Sequence, residues 1–283
     1  GRGFSIEGLK RGIRIIGTNH FMPENLADYT AIVPPFFMPT AFKMAWAAAD
    51  RNFVRADRMT TPTRKAAEYL EANTSINDVL AISCGLHVNR YRSTLEPKPT
   101  NEIVFLGRVV EEKRIDVLIR ALATLDPALD ATLTILGGGD QLERMKQLAA
   151  RLKVSDRIRF AGFVDDEEKL EVLGRATVFA MPSIAELQSI STMEAMASGL
   201  PIVAANAMAL PHLVHDGENG FLFEPGDVAD LAAKLERVLR MPRDDYVAMQ
   251  RESLEIVQGH DIERTLDVFE TLYRGEPVDE TLM

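Results

Sequence analysis

Three stretches of this chain put residue types that could do chemistry in settings that would expose them. In Gly107-Arg-Val-Val-Glu-Glu-Lys113 an apolar run, Ile103–Leu106, comes first and a helical pattern follows. Arg108 and Lys113 then stand at a strand C-terminus and a helix N-terminus. Both places favour an anion, one by topology and one by the helix dipole. Arg offers a planar fork and Lys a point charge, so the pair can bracket a diphosphate; cations at a helix start can equally be solvated and idle. In Glu186-Leu-Gln-Ser-Ile-Ser-Thr-Met-Glu194 two carboxylates are separated by seven residues, a spacing that recurs at Glu255 and Glu263 and so decides nothing alone. Context separates the two pairs. Glu186 follows the strand pattern Thr177–Pro182, and Glu194 lies in the next helix. Carboxylates there can accept hydrogen bonds from sugar or ribose hydroxyls, and the helix start can meet a phosphate. Ser191 and Glu194 also read as a capping box, which would make Glu194 structural. In Gly17-Thr-Asn-His20 a histidine ends a strand pattern. It could donate to a phosphate or hydroxyl, move a proton, or be purely structural.

Other chemistries lack their motifs. Gly137-Gly-Gly-Asp140 ends a strand but has no G-x-G-x-x-G spacing, and there is no G-x-x-x-x-G-K-[ST], no G-x-S-x-G and no close His cluster for a metal.

The elements that must position these residues alternate. Strand patterns fall at Ile13–Thr18, Arg58–Pro62, Val79–Ser83, Glu102–Gly107, Thr132–Gly137, Ile158–Ala161, Thr177–Pro182 and Pro201–Ala205. Helical patterns between them include Thr63–Ala72, Arg114–Leu125, Gln141–Leu152, Glu168–Arg175, Thr192–Ser198 and Val228–Leu239. Short strands each followed by a helix predict α/β architecture with doubly wound parallel sheets, and ligands at the strands' C-terminal ends. The Pro-rich Ser93–Thr100 reads as a linker between a partial first domain, residues 1–92, and a complete second one, residues 101–257. Three strands are too few for a Rossmann-like half, so a front on the order of a hundred residues is expected to be missing.

Composition bounds the rest. At 283 residues, 46% hydrophobic and 26% charged, the chain has room for about two domains and is neither disordered nor fibrous. One cysteine, Cys84, excludes an internal disulfide framework and suits a reducing, cytoplasmic compartment. The net charge of −10 argues against nucleic acid as a partner. It divides unevenly: residues 1–100 carry 13 Lys+Arg against 9 Asp+Glu, and the remainder carries 19 against 33. The uncharged stretch Ala195–Val214 contains Gly199, Pro201 and Pro211, and reads as strand and turn rather than a membrane span. The start, Gly-Arg-Gly, shows no initiator Met, signal peptide or transit peptide, which fits a soluble chain truncated at its front.

Taken together these segments resemble family 4 (group 1) glycosyltransferases of the GT-B fold. The resemblance covers nearly all of residues 12–275. It is most specific at Phe105–Lys113, at Arg159-Phe-Ala-Gly-Phe163 and at Met181–Val203, with Asp216–Phe223 similar to the family's glycine-containing turn. It implies two Rossmann-like domains, the first incomplete, and a C-terminal segment, 258–283, whose helix near Ile262–Tyr273 crosses back to the first. It implies a retaining transfer from a UDP- or GDP-linked sugar to an acceptor hydroxyl of a glycan or membrane lipid, with no metal and no other cofactor required. Gly107, Arg108 and Lys113 would line the diphosphate, and Arg108 and Lys113 would stabilise its developing charge. Glu186 would contact the donor sugar and Glu194 the ribose. The backbone at Val164 would meet the base, and that of Ser189 and Ile190 the phosphate and sugar. His20 would lie near the transferred sugar. Leu187 and Ser189 stand where the family often has glycine, and Cys84 and His87 where it often has Asn and Asp. With the front missing, the chain as given is expected to bind a nucleotide weakly or moderately and not to catalyse transfer. The apolar, Pro-rich Ile32–Pro39 and the basic first third fit peripheral contact with the inner membrane face; the blander reading is that the segment packs under a helix Phe42–Phe53 or covers surface left by the missing strands. A nucleotide-sugar-binding protein without transfer activity, a sugar-nucleotide epimerase and a phosphorylase stay open as alternatives.

Overall fold

Short β-rich runs separated by amphipathic helices fold here into two parallel sheets. The computed structural model describes residues 13–20 and 35–278. Its contacts divide the chain into one unit of residues 1–85 with 262–283 and another of residues 86–261. The division falls ahead of Ser93–Thr100, so the Pro-rich stretch read as a linker lies inside the second unit.

The first unit holds β1 (Ile16–Thr18), α1 (Met38–Phe53), β2 (Arg58–Thr61), α2 (Arg64–Asn73) and β3 (Leu80–Ala81), with the helix Ile262–Arg274. The strands form a parallel sheet in the order β1-β2-β3. Two of them are shorter than the apolar runs Ile13–Thr18 and Val79–Ser83 suggested. Thr63 caps α2 by accepting from the Ala66 amide. Helix α1 starts at Met38 rather than Phe42 and buries only Trp46. Residues 32–34 of the apolar segment Ile32–Pro39 lie outside the described residues. Phe36 and Phe37 do not pack under the helix: they are 77% and 50% exposed, with their rings 3.9 Å apart.

The second unit is a six-stranded parallel sheet in the order β6-β5-β4-β7-β8-β9. Its strands are β4 (Glu102–Leu106), β5 (Thr132–Leu136), β6 (Ile158–Gly162), β7 (Val178–Met181), β8 (Ile202–Ala205) and β9 (Gly220–Phe223). Helices α3 (Ile115–Thr124), α4 (Leu142–Arg151), α5 (Asp166–Arg175), α6 (Ile190–Ala197), α7 (Leu210–Leu213), α8 (Val228–Leu239) and α9 (Arg243–Gln258) complete it. Both faces of the sheet are covered, as a parallel sheet requires, and Ile103, Phe105, Leu133, Phe179 and Val203 are fully buried. The strand order runs outward one way from β4 and the other way from β7. The crevice between their C-terminal ends is therefore the switch point at which such sheets take ligands.

Three of the described elements escaped the periodicity, the short α7 among them. Strand β9 opens with a glycine and read as a turn alone; Gly220 is needed because a Cβ there would meet the Ile202 carbonyl oxygen at 1.9 Å. Helix α9 buries Gln250 and Ser253 beside Tyr246, Met249 and Val257, which breaks its apolar stripe. Ser253 donates to the Leu200 carbonyl at 2.8 Å, and Tyr246 to that of Thr177 at 2.8 Å.

Candidate functional site

Glycine determines how the loops after β4, β5 and β6 meet. Gly107 donates to the Leu136 carbonyl at 2.9 Å, Val109 to that of Gly138 at 2.9 Å, and Gly137 to that of Gly162 at 2.7 Å. A Cβ on Gly137 would lie 2.0 Å from the Gly107 carbonyl oxygen, and one on Gly139 2.2 Å from that of Val109. Gly137-Gly-Gly139, which carries no dinucleotide fingerprint, therefore works as a backbone floor under the Gly107–Lys113 loop.

On that floor Arg108 is exposed and donates to Glu112 at 3.1 Å. Lys113 does not open the following helix. It closes a short helical turn, Glu111–Lys113, and Arg114 in left-handed conformation (φ 49°) separates it from α3. Lys113 instead reaches across the switch point and forms an ion pair with Glu186, in the loop after β7. Their side chains are only 14% and 8% exposed. Two backbone ties hold the loops together: the Ile184 amide donates to the Glu112 carbonyl at 3.0 Å, and the Ala209 amide to that of Glu186 at 3.1 Å.

Ser189 is the N-cap residue of α6, and its hydroxyl accepts from Thr192 at 2.8 Å. It is buried, whereas Ile190 is half exposed. The capping box does not form: α6 begins at Ile190, so Ser191 is already inside the helix. Glu194 turns elsewhere. The Tyr91 hydroxyl and the Lys169 ammonium each donate to its Oε1 at 2.7 Å. Lys169 also meets Asp166 at 3.1 Å, and Asp166 accepts from Arg90 at 2.7 Å. Burial, then the bond to Glu194 and its charge, push the Tyr91 hydroxyl well above the ordinary tyrosine range. Burial works against the charge of Lys169, but its bonds to Glu194 and Asp166 outweigh that and raise its pKa. Lys169 and Arg90 hold the Asp166 carboxyl below the usual range.

Val164, half-buried, follows Phe163, whose ring is 87% exposed. That ring lies over Gly138, where a Cβ would meet it at 2.9 Å. Gly107, Arg108, Lys113, Val164, Glu186, Ser189, Ile190 and Glu194 thus all belong to the C-terminal side of the second unit's sheet. His20 belongs to the first unit, beyond β1, with its Nδ1 3.7 Å from the Cys84 sulfur. Tyr91 and Lys169 were not among the expected site residues. No spacing could have revealed them, since Tyr91 and Glu194 lie 103 positions apart. Among the described residues no three His, Cys, Asp or Glu side chains cluster to hold a metal, and no helix is long and apolar enough to cross a membrane.

The family model described as Glycosyl transferases group 1 matches residues 89–254. The phosphatidyl-myo-inositol mannosyltransferase of Mycobacterium leprae is 35% identical over 187 residues, 63% of this chain and 49% of the relative. The D-inositol 3-phosphate glycosyltransferase of Streptomyces bingchenggensis is 33% identical over 209 residues, 66% of this chain and 46% of the relative. The chain thus spans about half the length of these curated relatives. Among solved structures, Anabaena Alr3699/HepE in complex with UDP and glucose superposes with a TM-score of 0.79 at 21% identity, covering 95% of this chain and 74% of that one. That likeness shows the fold, which is GT-B.

Proposed function

Because the chain belongs to the group 1 glycosyl transferases, we propose that its second unit binds the nucleotide-sugar donor of a retaining glycosyl transfer. The observation that carries this reading is the meeting of Lys113 and Glu186 across the β4/β7 switch point, beside Arg108 and above the glycine floor. In the transfer, the bond between the anomeric carbon and the diphosphate oxygen breaks. The acceptor hydroxyl oxygen bonds to the same carbon, its proton passes to the departing diphosphate oxygen, and the nucleoside diphosphate leaves. Arg108 and Lys113 neutralise the charge that grows on the leaving diphosphate. The first amides of α6, at Ser189 and Ile190, add the helix dipole. Glu186 holds sugar hydroxyls, Glu194 holds the ribose, and the Val164 backbone meets a uracil or guanine. No metal is needed for this charge pattern.

The names of the matched relatives support a glycan or lipid acceptor. The exposed Phe36, Phe37, Met44 and Val54 of the first unit support docking at a membrane's cytoplasmic face. Calorimetric titration with UDP, GDP and ADP in the presence of EDTA, then with the matching sugar nucleotides, tests the donor site. Saturable binding of one base, weakened at least about tenfold in Glu194→Ala, is expected. Folded protein that binds none of them would overturn the reading. Transfer is tested with glycan and phospholipid acceptors, the anomeric configuration of the product being read by NMR.

A further inference from the structure

Three distant segments converge on one oxygen of Glu194. Tyr91 leaves the short helical turn Val88–Arg90, whose Val88 is buried, and packs against the unit's main core. Lys169 stands on α5, whose N-cap Asp165 accepts from the Glu168 amide at 2.8 Å. Glu194 stands on α6. Tyr91 and Lys169 both donate to Oε1, so that oxygen's accepting capacity is taken up by the protein. Oε2 has no partner among the described residues, while the Glu194 side chain keeps 13% of its surface exposed. The tyrosine hydroxyl stays protonated at neutral pH, so it acts only as a donor towards the carboxylate. Lys169 is itself held on its other side by Asp166, which Arg90 holds in turn. A carboxylate pinned through one oxygen cannot rotate freely, and what it presents is the other oxygen. Such an acceptor suits a vicinal diol: it rewards a ligand that brings hydroxyl donors and loses a charge-assisted bond with one that lacks them.

We propose that Tyr91 and Lys169 are positioning residues that hold Glu194 through Oε1 and aim Oε2 at the ribose, so that this unit selects ribonucleoside over dideoxyribonucleoside diphosphates. The proposal rests on the assignment of Glu194 to the ribose made above. It adds two residues that need never touch the nucleotide, and it makes the chain's entry into the second unit, at Val88–Tyr91, part of donor recognition.

The test is the ratio of dissociation constants for 2′,3′-dideoxy-UDP and UDP, or for the guanine pair if GDP is the ligand. It is measured for the whole chain and for Tyr91→Phe, Lys169→Met, Lys169→Arg and Glu194→Gln. The wild-type ratio is expected to be roughly tenfold or more. In Tyr91→Phe and Lys169→Met it should fall to within about threefold of unity, mostly through weaker UDP binding, and Lys169→Arg should restore it in part. A merely structural role would weaken both nucleotides alike or lower the melting temperature, leaving the ratio unchanged; that outcome overturns the proposal. A wild-type chain that binds both nucleotides equally well overturns the ribose assignment and the proposal with it. Failure of folded protein to bind any nucleotide sinks the donor site as a whole.

Discussion

At Lys113 and Glu186 two charges have been taken out of water, with 14% and 8% of their side chains left exposed. Such a pair contributes little net stability while intact, but removing one partner strands the other, at a cost of about 3–5 kcal/mol. Lys113→Ala should therefore lower unfolding free energy by several kcal/mol as well as abolish donor binding. Lys113→Met combined with Glu186→Leu should recover most of the stability and none of the binding. Urea melts beside nucleotide titrations separate the two effects; a Lys113→Ala variant as stable as the parent would refute the buried pair. The Glu194 cluster makes an alkaline prediction. Folding raises the pKa of both Tyr91 and Lys169, so above about pH 10 the folded chain binds more protons than the unfolded one, and stability falls as pH rises. Between about pH 9 and 11 the melting temperature of the wild type should drop more steeply than that of Tyr91→Phe; parallel curves would exclude the coupling.

Loops after parallel strands set the geometry of this site, and their glycines are not interchangeable. At Gly139 an added Cβ would strike the Val109 backbone at 2.2 Å, and backbone cannot move aside as a flexible side-chain tip can. Gly139→Ala should displace the Arg108 loop, weaken nucleotide binding at least about tenfold and lower the melting temperature. Gly217, in the turn before β9, has φ +88°, and a Cβ added there would meet nothing within 4 Å. Gly217→Ala should cost only the strain of a left-handed residue, about 1–2 kcal/mol, and leave nucleotide affinity alone. Equal losses of affinity in the two variants would contradict a floor specific to Gly137–Gly139.

Over the whole molecule the apolar residues are unevenly shared. The second unit has one continuous core running from Leu86 to Val257. Among the described residues the first has two small clusters, one around Trp46, Met59, Leu70 and Val79 and another around Ile82, Val268 and Leu272. Burying less apolar surface gives less stability, so the first unit should melt first. The chain's single tryptophan, Trp46, lies in that unit and reports on it alone. Tryptophan fluorescence should change at a lower temperature than the main far-ultraviolet circular dichroism transition. Coincident transitions would mean that the two units unfold as one.

By itself the sequence determined the alternation of short strands and helices, the parallel class of sheet, the placing of Arg108 and Glu186 in loops after strands, and that of Glu194 on the helix that follows. Those features follow from hydrogen bonding and apolar periodicity within a few residues. It missed the four-residue α7, and also β9 and α9, where Gly220, Gln250 and Ser253 interrupt the local pattern for reasons that lie in neighbouring elements. Only the tertiary structure decided that Lys113 pairs with Glu186, 73 positions away, and that Tyr91 and Lys169 share one oxygen of Glu194. Such pairings depend on which strand lies beside which, and strand order is settled by burying both faces of the sheet at once, a condition that no short stretch of chain can express.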